Sequence, residues 1–303
     1  MSGRFRKYLH VNASDAAAWG MAGPALAGIC IFILTPFLLA VFLSFTNLAL
    51  GSPLPLEFVG FRQYRVIFTD TGFSRALLNN LLFLTGIVPT QTLLALMLAL
   101  MLNQRLKGIA IYRTLFFMPV VFPMSLIAVI WTLIYAPGPD GLMNTFLGIV
   151  TFGAWEPRDF INHPHLALPA IMLLSVWQGV GFQMVVLLAG LQGIPENLYE
   201  AAAIDGAGRW SRFVHVTLPG LRNPLIFVII ITSILSFRVF DQVRIMTRGG
   251  PRNATTTVVF EAVRVGFDRG QVAMGAAMSV IFFLIVLLIT VIQRRLLKQE
   301  GVQ

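Results

Sequence analysis

The chain alternates long apolar segments with short polar ones. Six windows contain no Asp, Glu, Lys or Arg; they are residues 16–56, 76–104, 114–139, 160–195, 223–237 and 270–293. A helix that crosses the hydrocarbon core of a bilayer needs about 20 mainly apolar residues. Five windows reach that length, and the window 223–237 does so if the mostly apolar sequence continues to Met246. The pattern predicts six membrane spans, at about 21–46, 77–102, 113–135, 167–190, 222–246 and 272–293.

Composition supports an all-α membrane protein. Hydrophobic residues make up 57% of the 303 positions, charged residues make up 12%, and the mean hydropathy is +0.80. A soluble domain is less apolar than this. The net charge of +9 could indicate nucleic acid, but the basic residues lie between apolar runs rather than on a soluble face, so no nucleic-acid partner is expected. The single cysteine, Cys30, excludes an intrachain disulfide.

The basic residues predict the orientation of the spans. Membrane proteins concentrate Lys and Arg in the cytoplasmic segments next to their spans. With the amino terminus in the cytoplasm, every lysine falls inside. The basic residues assigned to the cytoplasm are Arg4, Arg6, Lys7, Arg105, Lys107, Arg113, Arg209, Arg212, Arg222, Arg294, Arg295 and Lys298. We therefore expect cytoplasmic tails at 1–20 and 294–303, a transmembrane domain at 21–293, and a cytoplasmic loop at 193–221.

The loop 193–221 has the pattern of a helical hairpin. Pro195 and Glu196 suit a helix start, because proline fits the first turn and an acid complements the helix dipole there. Asp205-Gly206 ends this helix. Residues 209–216 then predict a second short helix, and Pro219 precedes the next span.

Part of this hairpin resembles the "EAA" loop in the integral membrane subunits of binding-protein-dependent ABC importers. The residues that carry the resemblance or lie within it are Glu200, Ala201, Ala202, Asp205, Gly206, Phe213, Leu218 and Pro219. The resemblance implies that the loop is cytoplasmic and docks into a cleft on an ATP-hydrolysing subunit. An ordinary amphipathic hairpin is the alternative. Glu200 could pair with a basic residue of that cleft, or it could only support its own helix end.

Further motifs resemble the carbohydrate branch of these importers, the maltose and glycerol-3-phosphate type. They begin at Phe58, Tyr112, Leu188 and Gly249, and the family core spans about 75–293. The resemblance implies the type I importer permease fold, with six spans and both termini cytoplasmic. It also implies a homologous second permease subunit, an ABC ATPase dimer that holds ATP and Mg, an extracytoplasmic solute-binding protein, and membrane lipid around the chain in the bacterial inner membrane. The solute would be a sugar, or a related polyol or glycerol-phosphate compound.

Polar residues near the spans are candidates for the solute path, because ionisable groups at membrane depth are costly. Arg238, Asp241 and Arg244 are spaced three apart at the end of the predicted fifth span. They would share nearly one helix face if the helix continues, or they are solvated if it ends near Phe237. Trp177, Gln178 and Gln183 in the fourth span could stack on a sugar and bind its hydroxyls, or they could pack in the bundle. Weaker candidates are Asn79, Asn80 and Gln91.

Other functions have less support in the sequence. His163 and His165 flank a proline with no cysteine nearby, so we expect no metal site. There is no Walker A loop, so the chain itself should hydrolyse no ATP and bind no cofactor. An intramembrane enzyme would need an acidic or histidine cluster. The main alternative is a stand-alone secondary transporter of a small polar solute, which often shows an internal repeat that is not visible here.

Overall fold

The structure is a computed structural model that describes residues 13–104 and 108–298. Within these ranges the backbone forms helices and loops, with one isolated β-bridge between Thr46 and Phe58. This confirms the predicted all-α class. Several basic residues used for the orientation, Arg4, Arg6, Lys7, Arg105 and Lys107, lie outside the described residues, as does the start of the predicted tail 1–20.

Residues 13–104 and 108–150 contain seven helices. The first begins at Ala13, inside the predicted tail, and a π-helical segment, Cys30–Leu34, joins it to the second. The seven helices are α1 (Ala13–Ile29), α2 (Thr35–Leu43), α3 (Arg62–Thr69), α4 (Thr71–Leu102), α5 (Ile109–Val121), α6 (Met124–Ile134) and α7 (Leu142–Val150). Asp70 caps α4, since its carboxylate accepts a hydrogen bond from the amide of Gly72 at 2.8 Å.

Residues 167–298 add seven helices and three π-helical segments. The helices are α8 (Ala167–Gln192), α9 (Glu196–Ile204), α10 (Arg209–Arg212), α11 (Leu218–Gly220), α12 (Arg222–Phe237), α13 (Val258–Val263) and α14 (Val272–Lys298). The π-helical segments are Phe213–Thr217, Val243–Thr247 and Arg264–Asp268. Helix α14 therefore continues into the predicted tail 294–303.

Between four and six of these elements are suited to cross a membrane. Four continuous helical stretches are long and apolar enough: Ala18–Leu43, Thr71–Leu102, Ala167–Gln192 and Val272–Leu296. Two further candidates are bent pairs. Helices α5 and α6 meet at 99°, and Arg209–Gly220 meets α12 at 65°. Four of the six predicted spans correspond to these continuous stretches and the third to the pair α5 and α6, whereas the predicted fifth span is represented only by α12, because Arg209–Gly220 belongs to the predicted loop 193–221.

The third predicted span is broken by a proline. Phe122 is extended, with φ −80° and ψ 141°, and Pro123 directly precedes α6. A residue before proline is disfavoured in helical geometry, because the ring collides with its backbone. The continuous helix expected over 113–135 is therefore two helices that change direction at this point.

The fifth predicted span is too long. Helix α12 ends at Phe237, and residues 238–257 are irregular apart from a short helical segment at 241–247, which includes the π-helical Val243–Thr247. Two asparagines of α4 hold this irregular backbone. Asn79 donates to the carbonyls of Asn253 and Thr256, both at 2.9 Å, and Asn80 accepts from the amide of Val258 at 2.8 Å. Side chains thus provide some of the hydrogen bonds that an unbroken helix would have made internally.

Helix α8 is at the centre of the bundle and packs most extensively against α4 and α5. Its glycines allow close approach, as small residues do between membrane helices. A Cβ on Gly181 would collide with the carbonyl oxygen of Phe116 in α5. A Cβ on Gly190 would lie 2.6 Å from the ring of Pro224 in α12. The bundle therefore depends on backbone contacts that a larger side chain would open.

We predict that Gly181→Ala destabilises the chain while Gly23→Ala does not. The first substitution forces α5 away from α8, and overpacking of this kind costs about 1–3 kcal/mol. A Cβ on Gly23 in α1 would meet nothing within 4 Å. The measurement is thermal unfolding of the purified chain in detergent. An unchanged midpoint for Gly181→Ala would show that these helices are not in close contact.

Candidate functional site

The segment between α8 and α12 forms a hairpin with a fixed base. A Cβ on Gly220 would lie 2.8 Å from the side chain of Ile194, so the two ends of the hairpin are in contact. Further out, the hydroxyl groups of Tyr199 and Thr217 are 3.0 Å apart and hydrogen-bonded. We call residues 194–220 the coupling hairpin. Its two arms are α9 on one side and α10, Phe213–Thr217 and α11 on the other.

The tip of the coupling hairpin is a glycine-dependent helix cap. The amide of Ala207 donates to the carbonyl of Ala202 at 2.9 Å, and the amide of Gly206 donates to that of Ala203 at 3.1 Å. This pair of bonds defines a Schellman motif, which needs a left-handed residue directly after the helix. Gly206 fills that position with φ +76°. A Cβ on Gly206 would meet nothing within 4 Å, so its requirement within this chain is conformational rather than one of space.

One face of the coupling hairpin is apolar and exposed. Tyr199 points towards the second arm and Ala202 is partly buried, whereas Glu200 and Ala201 are exposed. Ile204 is 86% exposed and Trp210 is 76% exposed, and Leu198 is also on the surface. The ring of Trp210 is 5.5 Å from that of the half-buried Phe213. Large apolar side chains displayed beside several charged ones indicate a surface for a protein partner.

A cavity of about 390 Å³ lies in the bundle between α4, α5, α8 and α12. Its polar lining residues are Gln91, Ser175, Gln178, Gln183, Thr232, Ser236 and Gln242. Aromatic and aliphatic side chains, including Phe83 and Phe182, complete the wall. Among the described residues that line it, none is charged. The cavity therefore offers amides and hydroxyls in an otherwise apolar setting.

The amide of Gln183 is a buried polar group of the cavity wall. Its side chain is 3% exposed, and Nε2 donates to the hydroxyl of Thr232 in α12. The other amide atom, Oε1, is buried and has no hydrogen-bond partner in the structure. An unpaired buried acceptor costs free energy. A hydroxyl group of a bound solute, or a water molecule, would remove that cost.

The three charged candidates lie outside the cavity. Arg238 follows the last residue of α12, and Arg238, Asp241 and Arg244 are all exposed. Because the helix stops at Phe237, the three residues do not share a face of α12. Arg244 bonds Asp268 at 2.8 Å instead, and this hydrogen bond holds the pKa of the Asp268 carboxyl below its usual range. Of the two alternatives that the sequence left open, the structure has the one in which the helix ends at Phe237 and the three residues are exposed.

The remaining candidates separate into two groups. Gln178, Gln183 and Gln91 line the cavity, as proposed for a solute path. Trp177 is absent from the lining and its ring is 5.7 Å from that of Trp131. Asn79 and the neighbouring asparagine brace the irregular segment after α12. The sequence reading missed Ser175, Thr232, Ser236 and Gln242, although polar residues near apolar spans were the available signal.

Histidines and acids do not gather into a site. The rings of His163 and His165 are 5.8 Å apart in a loop. Across residues 13–104 and 108–298, no group of three His, Cys, Asp or Glu side chains is placed to hold a metal ion.

These features define a class: a helical membrane protein with a polar internal cavity and a hairpin displayed at one end of the bundle. Residues 91–299 match the family described as binding-protein-dependent transport system inner membrane component. The chain belongs to this family, and it is therefore a multi-pass permease component of the inner membrane.

Individual relatives agree with that assignment. The trehalose/maltose transport system permease protein MalF of Thermococcus litoralis is 35% identical over 269 residues, which cover 89% of each chain. The sn-glycerol-3-phosphate transport system permease protein UgpA of Yersinia pestis is 33% identical over 284 residues, covering 91% of this chain and 92% of the relative. A chain of the bacterial alginate ABC transporter, solved with an alginate pentasaccharide-bound periplasmic protein, has the same fold. It superposes with a TM-score of 0.81 at 20% identity, over 95% of this chain and 97% of that one.

The geometry predicts that Gln178→Ala lowers solute uptake while Arg238→Ala and Asp241→Ala leave it nearly normal. Gln178 lines the cavity, and the two charged residues are exposed beyond the end of α12. The measurement is uptake by cells that express each variant at equal levels in the membrane. Strong loss of uptake in both charged variants, with none in Gln178→Ala, would place the solute path elsewhere.

Proposed function

We propose that this chain is one of two pore-forming permease subunits in an ATP-driven importer of a neutral sugar or polyol. A homologous second permease subunit completes the pore, a pair of ABC ATPases supplies the energy, and an extracytoplasmic binding protein delivers the solute. The chain itself hydrolyses no ATP; ATP and Mg bind to the ATPase partner. The observation that carries the proposal is the coupling hairpin, whose exposed apolar face lies at one end of the bundle.

The coupling hairpin suits a docking role because it is stiff and apolar at its tip. The Schellman cap at Gly206 fixes the turn, and the Tyr199–Thr217 bond holds the arms together. Leu198, Ala201 and Ile204 are exposed on α9 at positions that share a helix face. The small side chain of Ala201 would let a partner approach the α9 backbone closely. Glu200 is exposed beside them and is placed to meet a basic residue of the ATPase.

The uncharged lining of the cavity favours a neutral solute over an anionic one. The two named relatives differ in this respect, since trehalose and maltose carry no charge and sn-glycerol-3-phosphate is an anion. A buried phosphate needs charged or multiple donor groups. The cavity has four glutamine amides and three hydroxyl groups but no Lys or Arg among its described lining residues. These groups are suited to hydrogen-bond sugar hydroxyls, which both donate and accept.

We predict that Gly206→Val uncouples the permease from its ATPase. A β-branched residue forced into left-handed geometry costs on the order of 1–2 kcal/mol. The cap at Ala202 and Ala203 would loosen, and the apolar tip would lose its fixed position. The apolar spans are untouched, so membrane insertion should be normal. The measurement is co-purification of the ATPase with the variant, together with solute uptake in the same cells.

The matched control for this prediction is Gly208→Val. Gly208 lies two residues further on, is extended with ψ 172°, and has open space around a Cβ. We expect this variant to bind the ATPase and transport almost as the parent does. If Gly206→Val kept full ATPase binding and full uptake, the coupling hairpin would not be the docking element.

We predict that Gln183→Leu weakens transport without disturbing ATPase binding. Leucine has nearly the same size but provides no acceptor for a solute hydroxyl, and it leaves the Thr232 hydroxyl without its Gln183 partner. Loss of one such hydrogen bond is worth about 1 kcal/mol, or roughly a five-fold change in half-saturating solute concentration. The assay measures how strongly a neutral disaccharide and a sugar phosphate each compete with uptake of the solute. Preferential competition by the sugar phosphate would exclude the neutral-solute proposal.

A further inference from the structure

Helix α7 exposes its apolar side chains and buries a polar one, which is the opposite of a helix on a water-facing surface. Its exposed residues are Leu142, Thr145, Phe146, Ile149 and Val150, which lie on one face at helical spacing. Its protein-facing side contains the buried polar residue Asn144. A helix at a protein–water boundary turns its apolar stripe inwards and its polar residues outwards. The exposed face of α7 is therefore suited to an apolar environment rather than to water.

The orientation of α7 is fixed by Asn144. Its Nδ2 donates to the carbonyls of Gly138 and Arg158, and its Oδ1 accepts from the amide of Arg158 and the indole of Trp155, each at 3.0 Å. All the hydrogen-bonding capacity of this amide is thus used. Met143 and Leu147 pack against the core cluster formed by α6 and α8. The apolar face is consequently held outwards rather than displayed by a mobile loop.

The apolar surface continues beyond the helix. Phe152 is 98% exposed and has a left-handed backbone with φ 52°. We call the exposed side chains of Leu142, Phe146, Ile149, Val150 and Phe152 the α7 ridge. No charged residue occurs between Gly141 and Trp155, and the first one after the ridge is Glu156.

The position of α7 in the bundle indicates what faces the ridge. Helix α8 runs from the α7 end of the bundle to the coupling hairpin, so α7 lies at the opposite membrane surface. Just before α7, α6 displays an exposed apolar stripe of Leu126, Val129, Ile130 and Leu133. On a membrane-spanning helix such a stripe faces lipid. The α7 ridge is the next exposed apolar surface along the chain, at the level where α6 ends.

We propose that the α7 ridge is a lipid-binding surface that lies in the interface of the membrane leaflet opposite the coupling hairpin. The phospholipid acyl chains would contact Phe146 and Ile149. An interfacial helix buries its apolar face about 5–10 Å into the boundary between headgroups and acyl chains. Trp155 and Arg158 follow the ridge along the chain. The guanidinium of Arg158 is 5.2 Å from the centre of the indole ring of Trp155. Aromatic and basic side chains of this kind are typical anchors at headgroup level.

The test uses the full chain with a single reporter cysteine. Cys30 is first replaced by serine, and Phe146→Cys, Ile149→Cys or Glu156→Cys is added and labelled with a polarity-sensitive fluorophore. Glu156 is the matched control, because it is exposed on the same connection but outside the ridge. Each protein is reconstituted in phosphatidylethanolamine–phosphatidylglycerol vesicles, with or without bromine on the acyl chains. Bromine quenches a fluorophore only at short range.

We expect emission at Phe146 and Ile149 to be blue-shifted and to fall about two-fold in brominated lipid, as for an interfacial apolar face. The label at Glu156 should keep its water-like emission and lose little intensity. Two reporter positions protect the test against a variant that fails to fold. Water-like, unquenched emission at both ridge positions would overturn the proposal.

The same measurement on the importer assembled with its partner subunits distinguishes lipid from protein. Quenching that survives assembly supports the lipid surface. Quenching that disappears when the second permease or the binding protein is present would show that a protein covers the ridge, and would exclude the proposal. The readout from the chain alone does not depend on transport, so it stands even if the proposed sugar importer is wrong.

Discussion

The hydrocarbon core provides no hydrogen-bond partner, and this constraint decides where the helices of this chain can stop. Helix α12 ends at Phe237, well before the predicted end of the fifth span. Irregular backbone is tolerated at membrane depth only where the protein itself supplies partners. Here α4 supplies them through Asn79 and Asn80, and the hydroxyl of Thr257 donates to the carbonyl of Val239 at 2.7 Å. The end of α12 at Phe237 is therefore stabilised by hydrogen bonds from α4, a helix distant in sequence.

The same break shapes the cavity. Thr232 and Ser236 line it from the last turns of α12, and Val239 and Gln242 line it from the irregular segment beyond. A continuous helix would have carried residues 239 and 242 along its axis instead of across the end of the cavity. Gln242 donates to the hydroxyl of Ser175 in α8 at 3.3 Å, which ties the segment to the bundle. The neutral polar character of the cavity follows in part from where α12 stops.

The sequence predicts features that depend on neighbouring residues, but it does not predict features that depend on contacts between distant residues. The charge-free windows marked the apolar spans, and Asp205-Gly206 marked the hairpin turn, because a Schellman cap involves only neighbouring residues. The end of α12 depends on contacts between residues about 177 positions apart, such as Asn79 with Thr256. A single sequence gives no sign of such pairs. Asn79 and Asn80 were accordingly proposed as weaker solute-path candidates, and the sequence could not decide whether Arg238, Asp241 and Arg244 continue a helix face or lie beyond its end.

The coupling hairpin and the cavity are joined by helices rather than by loops. Helix α8 contributes Gln183 to the cavity and continues for about 14 Å along its axis to Gln192, two residues before the hairpin begins. Helix α12 leads back from the hairpin to Thr232, which bonds Gln183. Gly190 lets Pro224 approach α8 closely near the hairpin base. A close-packed pair of helices transmits displacement with little compression. Movement of the hairpin base must therefore shift α8 and α12 together. The hydrogen-bonded pair Gln183 and Thr232 in the cavity wall would move with them.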